Sequence, residues 1–262
     1  MDILNDQKYL VDLLFRDRLI TAEQKEVLDE KFQPQQRAIF EKRKKRRART
    51  GKGKAVAPDG VEVIASFNLE IPGENPTVLS DELIMRAVAD DIGMPFKKLD
   101  QLELDLEVVT KTIPKNYALK HLLLPFAVKN GVHEIAFYDP AKREMLPEIE
   151  RVYKITIKPF LSTKNDISRM LAEFFGFQTS ITAAEDHLAS PMVDLGNLEQ
   201  FVKIERGGEV SSSDHHITSA VDHLFTYAFD QRASDIHIEP KRGKSNVRLR
   251  IDGVLHTIYS LP

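Results

Sequence analysis

The chain has 262 residues, 42% of them hydrophobic, a formal net charge of −3 and no cysteine. This length suits one large or two smaller globular domains with a sizeable core, and the missing cysteines exclude disulfides, thiolate nucleophiles and cysteine-ligated metal sites. No apolar run approaches the ~20 residues of a bilayer-spanning helix, and no basic–apolar–small-residue signal segment opens the chain, so a cytoplasmic location is expected.

Residues 1–32 predict a helical N-terminal segment. Leu10, Leu13 and Leu14 fall at helical spacing, Leu19-Ile20-Thr21 interrupts them, and Thr21 with Gln24 forms a capping box for a second helix carrying Val27, Leu28 and Phe32. Two short helices bury little, so this segment is expected to dock on a partner or another domain. Residues 33–60 predict a basic flexible linker. Between 37 and 54 ten Lys/Arg stand against one acid, Glu41, a local charge of +9, while the remainder carries 27 basic and 39 acidic residues, −12. A block of this kind is a solvated linker, the favoured reading, or an anionic-membrane contact through residues 42–49. Beyond Phe40 no aromatic residue interleaves the block, so nucleic acid is not an expected partner.

Residues 61–180 predict an α/β domain. Val61, Val63 and Ala65 alternate as an extended stretch; Ser80 caps a helix with Leu83, Ile84, Ala87, Val88 and Ile92 on one stripe, stopped by Gly93. The apolar runs 122–128 and 134–138 flank Asn130-Gly131, a hairpin signal. Asp139-Pro140 starts a helix to about Val152, Ile155, Ile157 and Phe160 alternate as a strand, and Ser162 or Thr163 starts a helix that Gly176 ends. Residues 181–200 predict a connection. Over 201–262 a helix with Ile217, Val221, Leu224, Phe225, Ala228 and Phe229 precedes three strands turning at Arg242-Gly243 and Asp252-Gly253. The fold class is α/β (α+β).

The last thirty residues carry the chemistry. In 235–239, Asp235, His237 and Glu239 alternate with Ile236 and Ile238; in 247–252, Arg248 and Arg250 share a face. Paired through the 240–246 turn, these strands set carboxylates and an imidazole beside two guanidiniums. Such a face is a cross-strand ion-pair lattice, worth about 0.2–1 kcal/mol per pair, or an anion site, since guanidinium forks at i, i+2 suit phosphate oxygens.

Arg232-Ala233-Ser234-Asp235-Ile236-His237-Ile238-Glu239-Pro240 and Val247-Arg248-Leu249-Arg250-Ile251-Asp252-Gly253-Val254-Leu255 resemble the secretion ATPases of type II secretion systems and type IV pili. Pro95-Phe96-Lys97-Lys98-Leu99-Asp100, Leu124-Pro125-Phe126 and Ile135-Ala136-Phe137-Tyr138-Asp139-Pro140 resemble the amino-terminal extension of the same family. The resemblance implies a PAS-like small lobe over 201–262 and hexameric assembly. It also implies a docking role for the extension on the cytoplasmic domain of an inner-membrane platform protein, hence a peripheral position at that membrane. By the same resemblance Arg248 and Arg250, with Arg232 a weaker candidate, contact the phosphates of ATP held with Mg²⁺ by the catalytic lobe, and Asp235, His237 and Glu239 support them.

Hydrolysis needs a phosphate loop, G-x-x-x-x-G-K-[ST]. Gly243-Lys244-Ser245 lacks the first glycine, with Ile238 in its place, and in Thr50-Gly51-Lys52-Gly53-Lys54 neither Gly-Lys pair is followed by the hydroxyl residue. No catalytic residue is therefore expected in this chain, which is expected to be the non-catalytic half of such an ATPase and inactive alone. The alternative is a stand-alone adaptor or a cyclic di-GMP-type ligand-binding module, a role of the extension in some relatives. Their motif begins Arg-Leu-Gly; here Tyr9-Leu10-Val11 stands at that start, Arg18 near the expected glycine and Lys31 near the closing glutamine. His215, His216 and His223 lack the company of a metal site and are expected at a solvated helix start; Asp186 and His187 carry no signal.

Overall fold

The computed structural model describes residues 2–51, 55–73, 77–189, 212–242 and 244–261. Contacts divide the chain into two units, Met1–Leu99 with Ala118–Ser168, and Asp100–Tyr117 with Arg169–Pro262.

The first unit opens with α1 (Gln7–Arg16) and α2 (Ala22–Thr50). Leu10, Leu14, Leu28 and Phe32 are 0–1% exposed, so these helices bury their apolar faces in the core of this unit. Tyr9 donates to Asp91 at 2.7 Å and Arg16 pairs with Asp91 at 2.8 Å. Thr21 and Gln24 form the expected reciprocal cap. The expected linker beyond residue 32 is instead helix as far as Thr50. Pro34 lies inside α2, and its missing N–H is tolerated because the residues that follow are mostly strong helix formers. Gln36 donates to the Pro58 carbonyl at 3.0 Å and Arg43 to Glu62 at 3.1 Å, holding the helix down.

Residues 60–65, expected as extended, form α3 (Gly60–Ala65). Asp59 accepts from the Glu62 backbone N–H and the Glu62 carboxylate accepts from that of Asp59, a capping box whose reward outweighs the alternation of Val61 and Val63. Helix α4 (Asp81–Asp91) carries the expected Ser80 cap and ends before Gly93, φ +64°.

The unit's sheet has the order β1 (Leu123–Lys129), β2 (Val132–Phe137), β3 (Thr156–Leu161), antiparallel then parallel. Asn130 and Gly131 turn the first hairpin with φ of +52° and +79°, the left-handed pair of a type I′ turn. Asp139-Pro140 opens a 3₁₀ turn (Pro140–Met145), after which an α-helix (Leu146–Tyr153) crosses over to β3. Phe96 adds an isolated parallel bridge to Leu161.

Two short helices precede β1, α5 (Leu106–Lys111) and α6 (Lys115–His121); the crossover helix is α7. Helix α8 (Lys164–Ala189) passes through Gly176, where an end was expected, and occupies part of the expected connection. A helical glycine costs about 1 kcal/mol, and burial of Phe175 and Phe177 on either side, at 2% and 3% exposure, offsets it. The rest of the expected connection, 190–200, lies outside the described residues.

The second unit contains α9 (Ser212–Asp230) and the antiparallel meander β4 (Asp235–Lys241), β5 (Lys244–Ile251), β6 (Val254–Leu261). Its core joins Phe177, Leu224, Tyr227, Ala228, Val247, Leu249, Ile258 and Tyr259.

Candidate functional site

Strand alternation places the candidate residues. On β5, Val247 and Leu249 are buried in the core, so Arg248 and Arg250 turn to the other face. The antiparallel register sets Asp235 opposite Arg250 and His237 opposite Arg248. Arg250 Nε lies 3.1 Å from Asp235 Oδ2, and its Nη1 donates to the Gly253 carbonyl at 3.3 Å. Asp235 also accepts from the Ser234 hydroxyl at 2.9 Å. Arg248 Nη1 reaches diagonally to Glu239 Oε1 at 3.2 Å.

The cross-strand lattice is thus built, and it leaves polar capacity over. Arg248 Nε and His237 Nε2 are buried with no hydrogen-bond partner, although they belong to directly opposed residues. An unpaired buried donor costs about 1–3 kcal/mol, and an anion is the species a guanidinium N–H would take. The two arginine side chains are 33% and 37% exposed, and each guanidinium is held by a carboxylate. Beside Arg248 the β5–β6 ladder slips: Val247 pairs with Tyr259 and Arg248 with Thr257, leaving Ile258 as the extra residue of a bulge. Such bulges re-aim neighbouring side chains; this one has no signal in the sequence pattern.

Arg232 is placed differently. It sits between α9 and β4, exposed, with φ +53°, and is not joined to the lattice by any hydrogen bond or ion pair among the described residues. His215, His216 and His223 lie on α9 and Asp186 and His187 on α8, but their side chains fall outside the described residues. Of the positions compared with the cyclic di-GMP motif, Tyr9 is engaged with Asp91, Leu10 and Val11 are 0% and 1% exposed, Arg18 holds a left-handed φ of +58°, and Lys31 is exposed on α2.

Residues 92–181 match the MshEN domain family. The type IV pilus assembly ATPase TfpB of Acinetobacter baylyi is 28% identical over 200 residues, 76% of this chain and 34% of that protein. The type IV pilus assembly ATPase PilB of Myxococcus xanthus is 22% identical over 175 residues, 65% of this chain and 30% of that protein. The chain is similar to the amino-terminal part of secretion ATPases. It spans about a third of the length of these curated relatives. The protein transport protein HofB homolog of Escherichia coli is 64% identical over 31 residues, 12% of this chain and 7% of that protein. A solved structure of MshE with cdg aligns at a TM-score of 0.37 and 14% identity, covering 63% of this chain and 97% of that one.

The MshEN match spans β1 to β3 and the first part of α8. It overlaps the α/β region whose sequence resembles the family's extension. Among the described residues no helix is long and apolar enough to cross a membrane, and no group of three or more His, Asp or Glu is placed to hold a metal.

Proposed function

We propose that this secretion-ATPase segment is the non-catalytic partner of a nucleotide-binding lobe, and that its β4–β5 face supplies arginines to the phosphates of ATP. One observation carries the reading: Arg248 and Arg250 stand at i, i+2 on the same face of β5, each held by a carboxylate, with Arg248 Nε lacking a partner. Two fixed forks offer positive charge without the cost of reorganising it when phosphate charge spreads. Asp235 and Glu239 keep the forks oriented, and His237 lines the same face. The names of the relatives, which are pilus assembly ATPases, support a nucleotide as the anion.

ATP with Mg²⁺ supplies the reacting phosphate and its counter-charge when bound to such a lobe. From this chain Arg248 and Arg250 would reach the phosphates, and exposed Arg232 is an additional contact. The assembly is a homohexamer in this reading. The extension recruits it to the cytoplasmic domain of an inner-membrane platform protein, which places the chain peripherally at that membrane.

The test is steady-state kinetics of an ATPase carrying this segment, with Arg248→Ala and Arg250→Ala. Lowered kcat with little change in KM is the expected result. A raised KM at unchanged kcat, or wild-type kinetics, contradicts it. The 262-residue chain alone is expected to show no Mg²⁺-dependent turnover, and robust hydrolysis by it also contradicts the reading.

A further inference from the structure

The C-terminal part of α2 presents a row of cations that no ATPase chemistry uses. Lys42, Lys45, Arg46 and Arg49 fall at i, i+3, i+4 and i+7 of a continuous helix, so they lie in one stripe about 10 Å long. All four are exposed, and among the described residues none makes an ion pair. The contacts that tie this part of the helix down come from other positions, Gln36 to Pro58 and Arg43 to Glu62. Like charges at i, i+3 and i+4 weaken a helix. Cations in the last turn favour it, but the stripe begins eight residues before the helix ends at Thr50. The row is therefore a local cost that an anionic partner would relieve.

We infer that this stripe docks on an anionic lipid surface. A plane of headgroup phosphates meets one side of a helix, as a one-sided row requires. A nucleic-acid groove would flank the helix with phosphates on two sides, and no aromatic residue lies between 41 and 50 to stack on bases. A protein interface core is enriched in apolar and aromatic anchors, whereas Ala48 is the one apolar side chain in that stretch. Binding is thus superficial and electrostatic, of the kind worth roughly a fivefold gain in partition per cation, and it weakens with salt.

The experiment is co-sedimentation of the full 262-residue chain with vesicles of phosphatidylcholine alone or with 30 mol% phosphatidylglycerol, at low salt and in 0.5 M NaCl. Circular dichroism reads helicity in parallel. The expected result is binding to the anionic vesicles alone, lost in high salt and accompanied by a gain in helicity. Lys45→Ala/Arg49→Ala lowers partition roughly 25-fold. Arg37→Ala/Lys44→Ala removes the same charge from the other side of α2 and lowers it by no more than about fivefold. Equal binding to neutral vesicles, equal loss in the two double variants, or tighter binding to duplex DNA than to the anionic vesicles would overturn the inference. Because the stripe is remote in sequence from β4 and β5, ATPase kinetics of the Arg248 and Arg250 variants stand or fall separately.

Discussion

Phe177 of α8 stacks on Tyr259 of β6 with ring centroids 3.8 Å apart and planes tilted by 25°. Both rings are nearly sealed, at 3% and 1% exposure, so this contact ties a helix to the central sheet of the second unit. Yet the Tyr259 hydroxyl is buried without a hydrogen-bond partner, and burial holds it protonated well above the usual phenol range. The ring stabilises and the hydroxyl does not. Phe177→Ala is expected to cost about 3–5 kcal/mol, whereas Tyr259→Phe is expected to be neutral or stabilising by about 1 kcal/mol. Urea denaturation of the two variants measures both; a Tyr259→Phe variant as unstable as Phe177→Ala would mean the hydroxyl has a partner.

Gly60 is fixed by space. It is the first residue of α3, its N–H donates to the Leu4 carbonyl at 2.8 Å, and a Cβ there would lie 2.6 Å from both Leu4 O and Leu10 Cδ1. The leucine tip can move but the carbonyl cannot without breaking the hydrogen bond. Gly60→Ala is therefore expected to destabilise by about 1–3 kcal/mol, despite alanine's better helix propensity, with a lowered thermal midpoint as the readout. Gly176→Ala, in open space inside α8, is expected to raise stability by up to about 1 kcal/mol, which separates sterics from propensity.

The elements that could be read from the sequence are those with local, self-contained signals. Thr21 with Gln24, Ser80, Asn130-Gly131 and the strict alternation of 235–239 each fix a cap, a turn or a face by themselves. Asp59-x-x-Glu62 is the same kind of cap, but the alternation of Val61 and Val63 around Glu62 obscured it; Ile64, 0% exposed, is the residue that breaks the period. The basic block misled through its charge. Arg, Lys, Gln and Glu are good helix formers, and the contacts of Gln36 and Arg43 that hold α2 are tertiary and invisible to pattern. At the candidate face the pairing of Arg250 with Asp235 followed from register. The diagonal reach of Arg248 to Glu239 and the bulge at Ile258 depend on sheet twist, which alternation does not encode.

Glu134 predicts an acid limit. Its side chain is 6% exposed and sits 2.8 Å from Lys129 and 3.6 Å from Lys158. The Lys129 hydrogen bond outweighs burial and holds the carboxyl below its usual range. A depressed native value means the unfolded chain takes up the proton first, so this contribution is present above the usual carboxylate range and is lost as pH falls through the native value. Glu62 acts in the same direction: burial alone would raise it, but Arg43 and Lys164 together bring it down. Stability is expected to fall on acidification below about pH 5. Glu134→Gln is expected to cost about 1 kcal/mol at pH 7 and to flatten the acid slope. Urea midpoints across pH measure it, and a parallel shift with unchanged slope would exclude Glu134.

Arg250 and Asp235 separate structure from function on the candidate face. Their pair is exposed, 37% and 52%, so Arg250→Ala is expected to change stability by less than about 1 kcal/mol. If the guanidinium meets phosphate, the same change in an ATPase carrying this segment lowers kcat by roughly a hundredfold or more. Arg250→Lys is not expected to rescue it, because an ammonium cannot hold Asp235, the Gly253 carbonyl and an anion in one planar fork. Asp235→Asn leaves the Arg250 guanidinium charge in place and the Gly253 carbonyl still accepting, so a smaller loss, about tenfold, is expected from poorer orientation. The ordering decides the matter. Equal losses in Arg250→Ala and Asp235→Asn, accompanied by equal falls in thermal midpoint, would make the pair a structural lattice alone, whereas a large kcat loss at unchanged midpoint places the arginine at the reacting phosphate.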